Sequence, residues 1–210
     1  MIVVVQGHNQ QKHTDLMEQM FRLRARVFAE RLKWDVTVVD GKERDRFDDL
    51  DPVYLIHTDE TGREVRGSLR LLPTTGPTVL GEFFSDTMPD AALLSAPTIW
   101  ECTRFCVDED RLRHREQIVA SRALISALGS VAIGAGIESI LGNFDARMLR
   151  LYRRIGCEVD VLGSTHRYGE PIYLGLFPVS PAILEAVNAR LADSPPSIDG
   201  RAPQSDRVAA

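Results

Sequence analysis

The chain has 210 residues, of which 44% are hydrophobic and 26% charged, proportions that are typical of one globular domain. The net charge of −5 argues against general binding to nucleic acid, which depends on positive charge. No apolar run approaches the roughly 20 residues of a membrane span, so we expect no stable membrane insertion. Three cysteines without a secretory signal indicate reduced thiols in a cytoplasmic protein, and the scattered histidines predict no metal site.

The predicted elements of the first half are a strand, an amphipathic helix, a charged loop and a hairpin. Apolar residues at helical spacing predict the helix, and alternation on both sides of a glycine-containing turn predicts the hairpin. In chain order these elements cover residues 2–6 (strand), 11–33 (helix), 35–52 (ordered loop), 53–57 and 64–72 (hairpin) and 73–97 (turns).

In the second half, predicted strands alternate with helices. The elements cover residues 98–107 (strand), 115–135 (helix), 137–141 (strand), 144–155 (helix), 172–177 (strand) and a last helix that begins at Ser180-Pro181. Strands interleaved with helices predict a mixed α/β sandwich, formed by a single domain over residues 1–192. Residues 193–210 are rich in Pro, Ser, Gly and Ala, and we expect them to be disordered.

Arg24 lies on the apolar face of the first predicted helix, four residues before Phe28. A guanidinium that is turned toward a core keeps its charge, so it requires carboxylates beside it. The candidate carboxylates are those of Asp45, Asp48 and Glu101. A buried charge cluster of this kind indicates a functional site.

Two predicted strands carry charged residues whose environment the sequence leaves open. Within residues 98–107, Glu101 and Arg104 point to opposite faces unless a bulge brings them together. The alternative is an edge strand with solvated charges. Arg70, on the strand of residues 64–72, either clamps a carboxylate or lies in solvent.

Several separated motifs follow one another between about residues 21 and 107. They are Arg24-x3-Phe28, Trp34, Glu43-Arg44-Asp45-Arg46-Phe47-Asp48, Gly67-Ser68-Leu69-Arg70-Leu71-Leu72-Pro73-Thr74-Thr75-Gly76-Pro77 and Trp100-Glu101-Cys102-Thr103-Arg104-Phe105. In this combination the chain resembles acyl-homoserine-lactone synthases of the autoinducer-synthase family, and within the family the rhizobial-type enzymes that make long-chain signals. It departs at Cys102-Thr103, where many members have a serine before the arginine, and at Lys33, where glycine is frequent.

The resemblance implies a three-layer αβα sandwich like that of the acetyltransferase (GNAT) superfamily, with a mixed central sheet and a cleft. It implies transfer of an acyl chain from an acyl-acyl carrier protein to the amine of S-adenosylmethionine, which is a substrate and not a cofactor. Lactonisation and release of methylthioadenosine follow. The hallmark residues that are carried over by position are Arg24, Phe28, Trp34, Asp45, Asp48, Arg70, Glu101 and Arg104.

The implied chemistry suggests a role for each of these residues. The substrate amine must lose a proton before it attacks the thioester, and Glu101 is the predicted base, directly or through water. Backbone N–H groups around Arg104 and Phe105 are predicted to stabilise the tetrahedral intermediate. Phe28 and Trp34 are predicted to face the sulfonium, with core packing as the alternative for each. Further predicted contacts to S-adenosylmethionine are Asp45, Arg70 and Phe105, and the predicted ion cluster has Asp45 and Asp48 holding Arg24 and Arg104.

The acyl chain is predicted to occupy a pocket toward the second half of the chain. The candidate lining residues, each of which could equally be ordinary core, are Phe83, Phe84, Leu124, Leu128, Leu141, Gly142 and Phe144. Synthases that favour 3-oxo chains often have a threonine near the end of the strand after the long helix. Its absence here favours a 3-hydroxy or unsubstituted chain, and Gly142 leaves room for a long one.

A basic helix on an otherwise acidic protein is a candidate docking face for an acidic carrier protein, with a solvated helix face as the alternative. Its residues are Arg147, Arg150, Arg153 and Arg154. Two other functions remain open from the sequence. One is an N-acyltransferase of the same superfamily that uses acyl-CoA, and the other is a non-catalytic small-molecule sensor.

Overall fold

A computed structural model of the protein describes residues 1–88, 90–166 and 169–193. Its centre is a seven-stranded sheet with the strand order β1-β4-β5-β6-β7-β9-β8. The strands are β1 (Ile2–Val5), β4 (Val53–Thr58), β5 (Val65–Pro73), β6 (Ile99–Val107), β7 (Ser139–Asp145), β8 (Asp160–Thr165) and β9 (Ile172–Pro178). A separate small hairpin pairs β2 (Val38–Val39) with β3 (Lys42–Glu43). The predicted tail lies outside the described residues from residue 194 onward.

Five α-helices accompany the sheet in the described residues: α1 (Thr14–Arg24), α2 (Val79–Phe83), α3 (His114–Gly134), α4 (Ala146–Ile155) and α5 (Pro181–Asp193). Alternate residues of β4 show how the layers form. Tyr54 and Ile56 pack into a cluster with Met20 and Phe21 of α1, whereas Leu55 faces the opposite cluster, which is built around α3. Helices on both faces of one mixed sheet confirm the predicted α/β sandwich.

The sheet is antiparallel except between β6 and β7, which run parallel. These two strands pair only over Ile99–Glu101 and Ser139–Leu141, although both continue for several residues beyond that point. The sheet therefore opens between them. This opening is the cleft that the resemblance implied.

Helix α3 is long and apolar enough to span a membrane by length and composition alone. In the fold it lies on the sheet, where Ala120, Leu124 and Ala132 are fully buried against the strands. Helix α3 is apolar because it packs on the sheet on one side and also contacts α5.

The single helix that was predicted over residues 11–33 is three consecutive segments. A 3₁₀ helix (Gly7–His13) leads into α1, and α1 continues as seven residues of π-helix (Ala25–Arg31). The wider turn is visible in the backbone, because the Leu32 N–H donates to the Val27 carbonyl at 2.9 Å. A π-helical insertion often marks a functional site, and this one carries Phe28.

The boundary between β7 and α4 differs from the prediction, which placed residue 144 in the helix. Phe144 belongs to β7, and its neighbour Asp145 caps α4 by accepting a hydrogen bond from the Met148 N–H at 2.7 Å. Asp145 is therefore both the last residue of β7 and the N-cap of α4. Strand β8 was not predicted, because it is a mostly exposed edge strand without a buried apolar face.

Candidate active site

Arg24 is the first of three arginines that meet three carboxylates between α1, β5 and β6. Its guanidinium is almost completely buried and donates from Nε to Glu43 at 2.5 Å. The two Nη atoms donate to both oxygens of Asp48, at 2.8 and 3.0 Å. Burial by itself would lower the pKa of Arg24, but Asp48 and Glu43 raise it above its usual value. Arg24 is therefore a permanently charged group inside the fold, as its place on the apolar face predicted.

Arg70 is also buried, which excludes the solvent-exposed alternative for this residue. It donates to both oxygens of Asp45, at 2.5 and 2.9 Å, and to Asp48 at 2.8 Å. Its Nε donates to the Thr103 hydroxyl at 3.0 Å. These partners surround the guanidinium, and Arg70 holds the Asp45 carboxylate in place by donating to both of its oxygens. It is not positioned as the direct substrate contact that was predicted.

Arg104 completes the cluster. It donates to Glu43 from Nε and Nη2, at 3.1 and 2.9 Å, and to Asp45 at 2.8 Å. The predicted pairing was therefore correct for Arg24 with Asp48 and for Arg104 with Asp45. It was incomplete, because Glu43 joins Arg24 to Arg104.

Glu43 was not predicted as a site residue, although it is fully buried. The sequence predicts an ordered loop over residues 35–52, and a single glutamate in a stretch with so many charges gives no separate signal. The spacing of Glu43 and Asp45, two residues apart, is the pattern that could have placed both on one side of a short strand. The cluster of Arg24, Arg70 and Arg104 with Glu43, Asp45 and Asp48 is named the ion cluster below.

Local hydrogen bonds hold the carboxylates of the ion cluster in place. Asp45 caps a short 3₁₀ helix (Arg46–Asp49) by accepting from the Phe47 N–H at 3.0 Å. Asp48 accepts from the Asp45 N–H at 2.9 Å and from the Tyr54 hydroxyl at 2.7 Å. Burial alone would raise the pKa of Asp48, but the charges of Arg24 and Arg70 hold it well below its usual range. Asp48 is therefore ionised at neutral pH.

A bulge in β6 brings Arg104 toward the ion cluster. Arg70 pairs with Thr103 and Ser68 with Cys106, so β6 has one residue more than β5 between these pairs. Arg104 takes a left-handed backbone conformation with φ of 54°, which is uncommon for a residue other than glycine. Because β6 is a central strand, the alternative of an edge strand with solvated charges is wrong.

Two aromatic side chains lie between the ion cluster and the cleft. The rings of Phe28 and Trp34 have centroids 5.2 Å apart, and the Arg104 guanidinium lies 5.3 Å from the centroid of Phe28. Phe28 is buried, whereas 40% of Trp34 is exposed. Both residues line the cleft, so Phe28 combines core packing with a place at the site.

The cleft encloses a cavity of about 240 Å³ between β6, β7, α3 and α5. Four of the seven predicted acyl-pocket residues line it: Phe84, Leu128, Gly142 and Phe144. Phe83 does not, because its ring is half-exposed and contacts Phe47. Leu124 and Leu141 are fully buried in neighbouring hydrophobic clusters, where sheet packing takes up their side chains.

Glu101 lies behind the wall of the cavity and is not among the residues that line it. Its carboxylate is fully buried and accepts the Val79 N–H at 2.8 Å and the Leu80 N–H at 2.7 Å. Burial raises the pKa of Glu101 above its usual value, and the two amide hydrogen bonds oppose that shift. Its role as the base stays a prediction.

Cysteine chemistry is not favoured at this site. Cys102 lines the cavity, but burial raises the pKa of its thiol to about 12, so the nucleophilic thiolate is scarce at neutral pH. Among residues 1–88, 90–166 and 169–193, no group of three or more His, Cys, Asp or Glu side chains could hold a metal ion.

Helix α4 presents Arg147, Arg150 and Arg153 to solvent. The side chain of Arg154, the fourth residue of the predicted docking face, lies outside the described residues. Asp145 at the start of α4 lines the cavity, so this helix begins beside the cleft. Its use as a docking face stays a prediction.

Comparison with solved structures first shows the class of fold. An N-acetyltransferase from Lactobacillus plantarum has the same fold, with a TM-score of 0.56 and 16% identity over 85% of this chain and 99% of that chain. At this identity the similarity concerns the fold alone. It agrees with the GNAT-like sandwich and the cleft that the resemblance implied.

The family follows from closer relatives. The sequence profile of the autoinducer synthase family matches residues 7–187. An acyl-homoserine-lactone synthase from Rhizobium etli is 39% identical over 176 residues, which are 83% of this chain and 82% of that protein. One from Agrobacterium fabrum is 33% identical over 190 residues, 89% of this chain and 90% of that protein. The chain belongs to the autoinducer synthase family, whose members are acyltransferases. These relatives confirm the predicted similarity to rhizobial-type synthases.

Solved structures of acyl-homoserine-lactone synthases superpose on the whole fold. The CoA-dependent enzyme BjaI, solved with SAM and isopentyl-CoA, matches with a TM-score of 0.79 and 29% identity over 93% of this chain and 91% of that chain. LasI matches with a TM-score of 0.76 and 25% identity over 90% of this chain and 94% of that chain.

Proposed function

We propose that the protein is an acyl-homoserine-lactone synthase that N-acylates S-adenosylmethionine and closes the lactone, which produces a quorum-sensing signal. The observation that carries this proposal is the ion cluster, whose member Arg104 lies against the Phe28–Trp34 pair at the mouth of an apolar cavity. A non-catalytic sensor requires a cavity, but it does not require a buried ion cluster that positions Arg104 against two aromatic rings beside that cavity. The family membership supports the same conclusion.

The reaction has two steps. In the first, the neutral amine attacks the thioester carbonyl, a C–N bond forms, and the C–S bond breaks to release the donor thiol. In the second, the methionyl carboxylate attacks its own γ-carbon, a C–O bond forms, and the C–S⁺ bond breaks to release neutral methylthioadenosine. The second step needs orientation and no protein nucleophile.

The sulfonium of S-adenosylmethionine fits beside Phe28 and Trp34, because aromatic faces attract a poorly hydrated cation. Asp45, which is 16% exposed, adds a negative charge near this wall, and Phe105 adds an apolar lining residue. We expect Trp34→Ala to raise the KM for S-adenosylmethionine about tenfold and to change the KM for the acyl donor little.

Two features of β6 support stabilisation of the tetrahedral intermediate by its backbone. Because of the bulge, Arg104 and Phe105 stand outside the pairing register with β5, and the pairing of β6 with β7 has already ended at Glu101. Both residues line the cavity at this interruption of the register, and their backbone N–H groups are the donors that we assign to the oxyanion. The arrangement suits an oxyanion site.

The proton of the amine passes to a base. Glu101 is the acceptor predicted from sequence, and direct transfer to it would require one of its amide hydrogen bonds to open. Water in the cleft is a sufficient acceptor as well, because an α-amine titrates near 8 and is partly neutral at cellular pH. The acyl chain occupies the cavity between β7 and α3, where Gly142 leaves space for a long chain.

The donor is an acyl-acyl carrier protein in this proposal, docked on the exposed arginines of α4. The second candidate donor is acyl-CoA, which the similarity to the CoA-dependent BjaI favours. Both donors and S-adenosylmethionine occur in the cytoplasm, so we propose that the enzyme acts there.

The test is turnover of purified protein with S-adenosylmethionine and two matched donor series, acyl-acyl carrier proteins and acyl-CoAs of equal chain length. We expect an N-acyl-homoserine lactone and methylthioadenosine in equal amounts by mass spectrometry, and a higher kcat/KM with the carrier-protein series. A higher kcat/KM with acyl-CoA would overturn the donor assignment alone. If neither series gave a lactone while the protein bound S-adenosylmethionine or a lactone, the sensor function would replace the enzyme.

A further inference from the structure

Glu101 makes a contact that a proton acceptor does not require. Each of its two oxygens accepts one backbone N–H from the first turn of α2, from Val79 and from Leu80. The carboxylate thus satisfies two amides that a helix start leaves without intrahelical partners. A carboxylate at this end of a helix also has a favourable charge.

Helix α2 forms part of the cavity wall, so its position matters for the acyl chain. Val79 at its start and Phe84 directly after its end both line the cavity. Leu80 is buried with Leu141 of β7, and the Glu82 carboxylate contacts Arg46, which follows the ion cluster residue Asp45. The helix therefore links the wall of the cavity to the segment that carries the ion cluster.

We propose that Glu101 is a positioning residue that acts through α2, holding the first turn of this helix and thereby the part of the cavity wall formed by Val79 and Phe84. This inference rests on the proposed function, because the wall is defined by the acyl chain it contacts. Glu101 shapes the binding of the acyl donor in this view and does not take the proton of the amine.

The geometry favours positioning over proton transfer. Glu101 is fully buried and does not line the cavity, whereas its hydrogen-bond partner Val79 does. Acting as a base would require loss of at least one of two short amide hydrogen bonds, which are stronger when the acceptor is charged. As a positioning group it needs no rearrangement.

Val79→Pro separates the two roles, because it removes one amide donor and leaves the Glu101 carboxylate intact. Proline fits this position: Val79 is the first residue of α2, and Thr78 before it has φ −122° and ψ 151°, as residues before proline prefer. Val79→Ala is the matched control, because it trims the same side chain and keeps the N–H. Glu101→Gln is the companion variant, because a carboxamide has one oxygen for two amides.

For each variant we would measure kcat and KM for both substrates, the pH profile of kcat/KM, and turnover across a series of acyl chain lengths. Melting temperature and circular dichroism would verify the fold. Positioning predicts that Val79→Pro raises the KM of the acyl donor about tenfold and flattens the chain-length preference, more than Val79→Ala does. Glu101→Gln should share this pattern and keep the acid limb of the wild-type pH profile.

The opposite pattern would overturn the proposal. If Glu101 is the base, Glu101→Gln abolishes turnover or removes the acid limb. Val79→Pro then has the same KM for the acyl donor as Val79→Ala, but its acid limb lies at higher pH, because the carboxylate has lost one amide donor. If only this inference is wrong, the wild-type protein still forms the lactone. If the proposed function is wrong, the wild-type protein forms no lactone with any donor.

Discussion

Glu43 is the residue on which two arginines of the site depend. It is fully buried and accepts hydrogen bonds from both Arg24 and Arg104. Glu43→Gln keeps the shape but leaves one buried positive charge without compensation. We expect a loss of about 3–5 kcal/mol in the free energy of unfolding, measured by urea denaturation, because removing one partner of a buried ion pair strands the other.

The control for this variant is Glu18→Gln, which breaks an exposed pair with Arg22 on α1. We expect no measurable change in stability, because exposed pairs contribute little. If Glu43→Gln were as stable as this control, the ion cluster would not contribute to folding.

Gly142 lines the cavity that the proposed function assigns to the acyl chain. A Cβ at this position would lie 3.5 Å from the Cys102 carbonyl oxygen and 4.0 Å from Phe177, so the backbone tolerates a side chain. We expect Gly142→Val to fill part of the cavity and to shift the main product to chains shorter by about two carbons or more, as seen by mass spectrometry. Gly134→Ala, at an exposed position with open space, should leave the product profile unchanged.

Helix α4 is the element that the proposed function assigns to the carrier protein. Charge reversal by the double substitution Arg147→Glu and Arg150→Glu should raise the KM for the acyl-acyl carrier protein about tenfold and leave kcat unchanged, because docking is electrostatic. The effect should shrink as salt is added. Arg63→Glu in the turn between β4 and β5 is the control, and an equal KM in both variants would dismiss α4 as the docking face.

Most helices and strands could be predicted from the sequence, because their apolar residues recur at the spacing that is typical of each type of element. The failures of this prediction have physical causes at particular places. The π-helical segment keeps the same apolar face as an α-helix, so its wider turn does not show in the pattern. The bulge at Arg104 depends on the pairing partner of β6, and Glu43 reaches the site through a hairpin of two-residue strands that no local period indicates.

The residues of the site that could be predicted are those whose chemistry is unusual for their place, such as Arg24. Val79 illustrates the opposite case. Its backbone N–H donates to Glu101, and a hydrogen bond from a backbone group cannot be inferred from the residue type. Phe83, Leu124 and Leu141 do not line the cavity, and the sequence could not show this because an apolar residue suits a core and a cavity wall equally.

The free energy of unfolding should decrease as the pH falls from about 6.5 to about 4. His57 on β4 is buried, and its Nδ1 has no hydrogen-bond partner in the described residues. Burial, with the chain's amino group and Arg66 nearby, lowers the pKa of His57 from 6.5 to about 4. Within this range the unfolded chain binds the proton more readily than the fold does, so protonation favours unfolding, by roughly 1–3 kcal/mol.

His57→Leu should flatten this part of the stability profile, because leucine cannot be protonated and the buried imidazole has no Nδ1 hydrogen bond to lose. The measurement is the melting temperature across pH 4–7, with the exposed residue His114 changed to leucine as the control. A profile with the same slope in wild type and His57→Leu would show that another group causes the acid sensitivity.

The ion cluster joins parts of the chain that are far apart in sequence, since Glu43 and Arg104 are separated by 61 positions. Its hairpin is too short to be stable alone, and its arginines are costly to bury before their partners arrive. We therefore expect the hairpin to close on the sheet late in folding, so that a refolding chain regains its secondary structure before it completes the ion cluster.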